Sequence, residues 1–149
     1  MIHEDALAHM LSEARYMLRQ KGISARTLDG VSEQEAEMAK IRGRQNHPVL
    51  SDLHHDFASE DAFGILIDDG DGLIGGMACK HIRLGRGNLT QHLRSSNGRV
   101  YGKDMVATNE AVTSKMTGDL VYQGELFLDE KYRHGAAPVA AIMRLAHSL

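Results

Sequence analysis

The sequence has a single cysteine, Cys79, in 149 residues. One cysteine excludes an internal disulfide framework and fits a reducing compartment, so a cytoplasmic location is expected. Its neighbours Met77 and Ala78 read as buried strand, which favours a core thiol over a nucleophile. No apolar run is long enough to span a bilayer, and no membrane partner is expected. The opening Met1-Ile2-His3-Glu4-Asp5 lacks the basic start and apolar stretch of a secretory signal. There is no basic excess: 17 Lys and Arg against 20 Asp and Glu leave a net charge of −3. That balance argues against a nucleic-acid partner. No internal repeat, low-complexity tract or linker divides the chain. The nine histidines lack metal-site spacing. His54-His55-Asp56 is the densest group, yet adjacent helical residues point in different directions, and neither H-E-x-x-H nor paired Cys/His occurs. No metal is expected.

What remains is an ordinary globular composition, 42% hydrophobic and 25% charged, with room for one domain and a real core. Leu7, Met10, Leu11, Ala14, Met17 and Leu18 form one apolar stripe and predict an N-terminal helix stopped by Gly22. This helix, residues 1–22, is expected to pack on the domain or on a partner chain. Ile23 to Leu28 can form a strand, with a turn at Asp29-Gly30. Ser32 followed by Glu35 has the pattern of a capping box and opens a helix over about 33–42. Pro48 starts a second helical candidate, with Leu50, Leu53, His54 and Phe57 on one face. Phe63–Ile67 and Leu73–Cys79 are apolar runs across Asp68-Asp69-Gly70-Asp71-Gly72, which predicts an antiparallel hairpin. The aspartates lack the alternation and distal glutamate of a calcium loop, so they read as turn formers.

Residues 84–118, punctuated by glycines, read as a long irregular connection with short helices near 89–94 and 109–116. Leu120 to Leu128 is a further strand. Ala137 to Leu149 closes the chain as a helix, with Pro138 suited to its first turn.

The stretch Gly124-Glu125-Leu126-Phe127-Leu128-Asp129-Glu130-Lys131-Tyr132-Arg133-His134-Gly135-Ala136-Ala137-Pro138 resembles the acyl-CoA motif of GNAT-type N-acyltransferases. In that motif a strand runs into an acidic turn, an aromatic-Arg pair, a glycine-containing loop and a helix. Ala25-Arg26-Thr27-Leu28 and Leu73-Ile74-Gly75-Gly76 extend the resemblance, which spans about residues 23–149.

It implies an α+β fold: a mixed, mostly antiparallel sheet flanked by helices. It also implies acetyl-CoA or another acyl-CoA as co-substrate and an amine as acceptor. Arg133, His134, Gly135, Ala136 and Ala137 would form the pyrophosphate loop, and Leu126, Phe127 and Leu128 would hold the pantetheine arm. Where the family pattern has two small residues after the arginine, this chain has Ala136 and Pro138, and proline removes one N–H donor.

Glu125 is the candidate general base, or else simply a solvent-facing strand residue; Tyr122 and Tyr132 are similarly open. The family's domain goes on beyond the helix after the CoA loop, so the resemblance implies a domain truncated there. A strand at 120–128 without its usual neighbour would be an apolar edge needing cover, which leads to the expectation of a homodimer. The alternatives are a non-catalytic interaction or ligand-binding module on the same partial fold, and an unrelated α+β protein.

Overall fold

The structure, a computed structural model, describes residues 4–54, 61–101, 109–133 and 136–147. Its elements are α1 (Glu4–Arg19), β1 (Ser24–Asp29), α2 (Ser32–Arg42), a 3-10 turn (Pro48–Leu50), β2 (Ala62–Asp68) and β3 (Leu73–Arg83). They continue with α3 (Leu89–Tyr101), α4 (Glu110–Thr113), β4 (Asp119–Leu128), α5 (Glu130–Arg133) and α6 (Ala136–His147). The strands form one four-stranded sheet in the order β1-β2-β3-β4, each neighbour antiparallel. The fold is therefore α+β, an antiparallel sheet flanked by helices.

Residues paired across strands share a sheet face. Ile65 opposite Met77, Phe63 opposite Cys79 and Gly75 opposite Leu128 define one face. Ala14 and Leu18 of α1 cover it together with Ala141, Ile142 and Ala146 of α6, and they form one continuous core. The apolar stripe of α1 thus packs inside the domain, and Glu13 meets Arg144 of α6 at 3.0 Å.

The other face carries Ala62 and Ala78, covered by Val31 and Leu50. Here α2 approaches closely. A Cβ on Gly76 would stand 2.7 Å from the Met38 sulfur and 2.7 Å from the Ile65 carbonyl oxygen. With both faces covered, β2 and β3 read as continuous apolar runs rather than alternating ones.

Several expectations are refined. The helix at 33–42 forms, but Val31 is its N-cap and no side-chain cap is made. Instead of closing a capping box, Glu35 turns inward. The helix expected from Pro48 is a 3-10 turn of 3 residues, because Ser51 is extended; Phe57 lies outside the described residues. The connection after β3 holds a longer helix than expected, α3, of 13 residues. The hairpin turn is built by aspartate: Asp69 Oδ1 accepts from the N–H groups of Asp71 (3.1 Å) and Gly72 (3.2 Å). The acidic turn after β4 is helical, the one-turn α5 of 4 residues. No helix among the described residues is long and apolar enough to cross a membrane.

Candidate functional site

Among the described residues β4 pairs only with β3, so its outer edge has no strand partner. Gly76 pairs with Phe127 and Ala78 with Gly124, so Met77 faces two residues, Glu125 and Leu126. This is a β-bulge, and it breaks the alternation on which the sequence assigns faces. Glu125 takes φ +56, the one non-glycine positive φ among the described residues. A left-handed glutamate is uncommon and needs surrounding contacts to hold it.

Those contacts come from the end of α2. Gly43, at φ +69, caps that helix with its N–H on the Ala39 carbonyl and turns the chain toward Arg44 and Asn46. The Glu125 carboxylate accepts from Arg42 Nη1, stands 3.0 Å from Arg44 Nη1 and takes the His47 backbone N–H at 2.7 Å. The Arg42 and Glu125 side chains are 3% and 7% exposed, whereas Arg44 is 61% exposed. Burial pushes the Glu125 carboxyl up, but the His47 N–H, the Arg42 hydrogen bond and the two arginine charges outweigh it. The net result lies below the ordinary glutamate value.

Behind this pair the network continues. Arg42 Nη2 donates to Asn46 Oδ1 at 2.6 Å, and Asn46 Nδ2 donates to Gln34 Oε1 (2.8 Å) and the Leu50 carbonyl (3.0 Å). Glu35 receives the Asn46 N–H (3.1 Å), the Ser51 hydroxyl (2.8 Å) and the Asp52 N–H (3.2 Å). One polar web therefore ties α2 and the 43–52 segment to the bulge of β4. All of its members but Glu125 fall within residues 34–52, and Glu125 joins from about eighty residues away. The only local hint is a run of polar residues directly after a helix-ending glycine, Gly43-Arg44-Gln45-Asn46.

In the bulge Leu126 is 40% exposed; beyond it Phe127 is half-buried and Leu128 is buried in the α6-side core. The Asp129 N–H returns to the Ile74 carbonyl at 2.7 Å. Arg133, the last residue of α5, folds back on the strand. Its Nε donates to the Leu128 carbonyl at 2.5 Å, and its guanidinium carbon lies 5.3 Å from the centre of the Phe127 ring. Tyr132 donates to the Asp69 carboxylate and ties α5 to the hairpin turn. That bond is the largest of the causes holding Asp69 below its ordinary pKa. His134 and Gly135 lie outside the described residues, and Ala136 and Ala137 open α6. The structure thus gathers Glu125, Leu126, Phe127, Leu128 and Arg133 along one strand end, with the start of α6 following in the chain.

On the α2 side of the sheet, a cleft of about 220 Å³ adjoins the first half of β4. Val49, Ile82, Leu93, Ser96, Lys80 and Tyr122 help line it. Cys79 is buried on the opposite face, and burial pushes its thiol up to about 12, so it is inert at neutral pH. Among the described residues no group of three or more His, Cys, Asp or Glu could hold a metal ion. No family model, curated protein or solved structure matches this chain.

Proposed function

We propose that the chain is an acyl-CoA-dependent N-acyltransferase of the GNAT type, or a relative retaining that fold. Acetyl-CoA or another acyl-CoA is the donor and an amine the acceptor. The observation that carries this reading is the bulged edge strand β4 leading through α5 into α6.

A pantetheine arm carries two amides, and an edge strand offers it alternating N–H and C=O groups as it would another strand. The bulge at Glu125 and Leu126 interrupts the ladder where the thioester would lie. Leu126, Phe127 and Leu128 would then hold the arm through their backbone. The first turn of α6 offers N–H groups and a positive dipole end to the pyrophosphate, with Pro138 contributing no donor. Arg133 commits its Nε to Leu128, which leaves its Nη groups for a phosphate.

In the reaction an amine attacks the thioester carbonyl, the C–N bond forms, the C–S bond breaks, and the departing thiolate takes up, directly or through water, the proton that the amine nitrogen gives up. Glu125 fits a positioning role better than that of a base. Its carboxylate is already matched by Arg42, Arg44 and the His47 N–H, and a lowered pKa makes it a weaker proton acceptor. On this reading Glu125 holds the left-handed bulge in place.

Calorimetric titration of acetyl-CoA into the wild type and Arg133→Glu tests the donor site. Binding in the wild type and its loss in the folded variant support it; absence of binding by the folded wild type contradicts it. Release of free CoA thiol with a panel of amines then tests catalysis.

The earlier part of this edge, before the residues assigned to the donor, supports a homodimer, because Val121 and Tyr122 are exposed there and β4 has no outer strand partner among the described residues. Light scattering at micromolar concentration should give twice the chain mass, and a monomer contradicts it.

A further inference from the structure

The cleft beside β4 carries an inference that rests on the acyl-CoA reading. The register places Tyr122 opposite Lys80, and Gly124 opposite Ala78. Tyr122 therefore stands three residues before Glu125, roughly 10 Å along an extended strand. A donor lying along β4 with its pyrophosphate toward α6 and its thioester at the bulge would send its acyl chain onward, toward Tyr122.

The cleft there is walled by Val49 of the 3-10 turn, Ile82 of β3, Leu93 of α3 and the Tyr122 ring. Lys80 is 5% exposed, with its ammonium 6.0 Å from the centre of that ring. A lysine buried to this degree also presents a methylene stem to its surroundings. The volume, about 220 Å³, is below the roughly 300–1,000 Å³ of pockets that take a whole drug-sized molecule. It suits a substituent. An acetyl group would end at the bulge and leave the cleft empty.

We infer that this cleft binds the donor's acyl chain and selects a linear aliphatic chain longer than acetyl. Each methylene placed against these walls should raise affinity about fourfold until the cleft is full.

The test titrates acetyl-, butanoyl-, hexanoyl- and octanoyl-CoA into the wild type, Leu93→Trp and Val49→Phe by calorimetry. The two variants fill the cleft from different walls, and thermal melts identify whichever stays folded. Affinity rising with chain length in the wild type and flat in a folded variant is the expected result. Equal affinity for all four thioesters in the wild type, or an unchanged slope in both variants, overturns the inference.

Should no thioester bind at any length, the acyl-CoA reading fails and takes the donor chain with it. Titration of 1-hexanol, followed by the methyl signals of Ile82 and Leu93, reads the cleft separately. Shifts confined to those methyls support an aliphatic pocket, and unmoved methyls refute it.

Discussion

Strands β3 and β4 are neighbours in one sheet, yet they are held by different physics. From Ile74 to Lys80 every residue of β3 is buried, because strands lie on both sides and helices cover both faces. In β4 only Leu128 is buried. The central strand is fixed by apolar packing, and any register slip would move a whole apolar set out of the core. The edge strand is fixed at its middle by a buried ion pair and a backbone hydrogen bond, which hold one residue in a left-handed conformation. Among the described residues its outer edge has no strand partner. A strand anchored in this way can present a defined edge to a ligand without being buried by its own domain.

The comparison can be broken most sharply at Glu125. Glu125→Ala leaves Arg42 buried without its carboxylate and should cost about 3–5 kcal/mol, read by urea denaturation; a loss below about 1 kcal/mol would mean that the bulge is held by something else.

The same pair sets an acid limit. The folded pKa of Glu125 lies below its ordinary value of 4.5. The ionised group therefore contributes its full stability above that pH and loses it as the pH falls through the folded value. Denaturation midpoints should drop below about pH 4.5 and drop less steeply in Glu125→Gln.

Met77, which faces the bulge from β3, and Leu126, which belongs to it, make a matched pair. Met77→Ala should cost about 2–5 kcal/mol and Leu126→Ala about 0.5 kcal/mol or less. Equal losses would erase the distinction between centre and edge.

The smallest effect belongs to the turn. Tyr132→Phe removes the main group holding the Asp69 pKa down, so carboxyl NMR should show it rising toward the ordinary 3.8. An unmoved Asp69 would mean that the Tyr132 bond is not formed in solution.

What the sequence reveals follows the same division. The apolar stripe of α1, the hairpin across Asp68–Gly72, the strand ending at Leu128 and the final helix can all be read, because each is written in local periodicity or turn chemistry. Gly43 as a helix stop is equally local. The bulge is not legible. A positive φ is signalled by glycine or asparagine, and here it falls on Glu125 while Gly124 beside it keeps a negative one. Strict strand alternation puts Glu125 on the face opposite Leu126 and Leu128, a parity that fails once one residue is inserted.

Its partners Arg42, Arg44 and His47 lie about eighty residues away in sequence, at a distance where no spacing rule operates. Ser32 and Glu35 carry a capping pattern, but the segment at 46–52 offers Glu35 three donors, and these outweigh a single cap. The strand-turn-helix carrying the proposed donor site was therefore visible in outline, and the device that shapes it was not.

Amide shift mapping with CoA tests the central claim most directly. Titrating CoA into the isotope-labelled chain should move the amides of Leu126, Phe127 and Leu128 together with those of Ala136 and Ala137, and should leave the buried amides of β2 in place. Saturating CoA that moves none of these five amides, or moves only amides remote from β4 and α6, would contradict the assignment of this edge as the donor site.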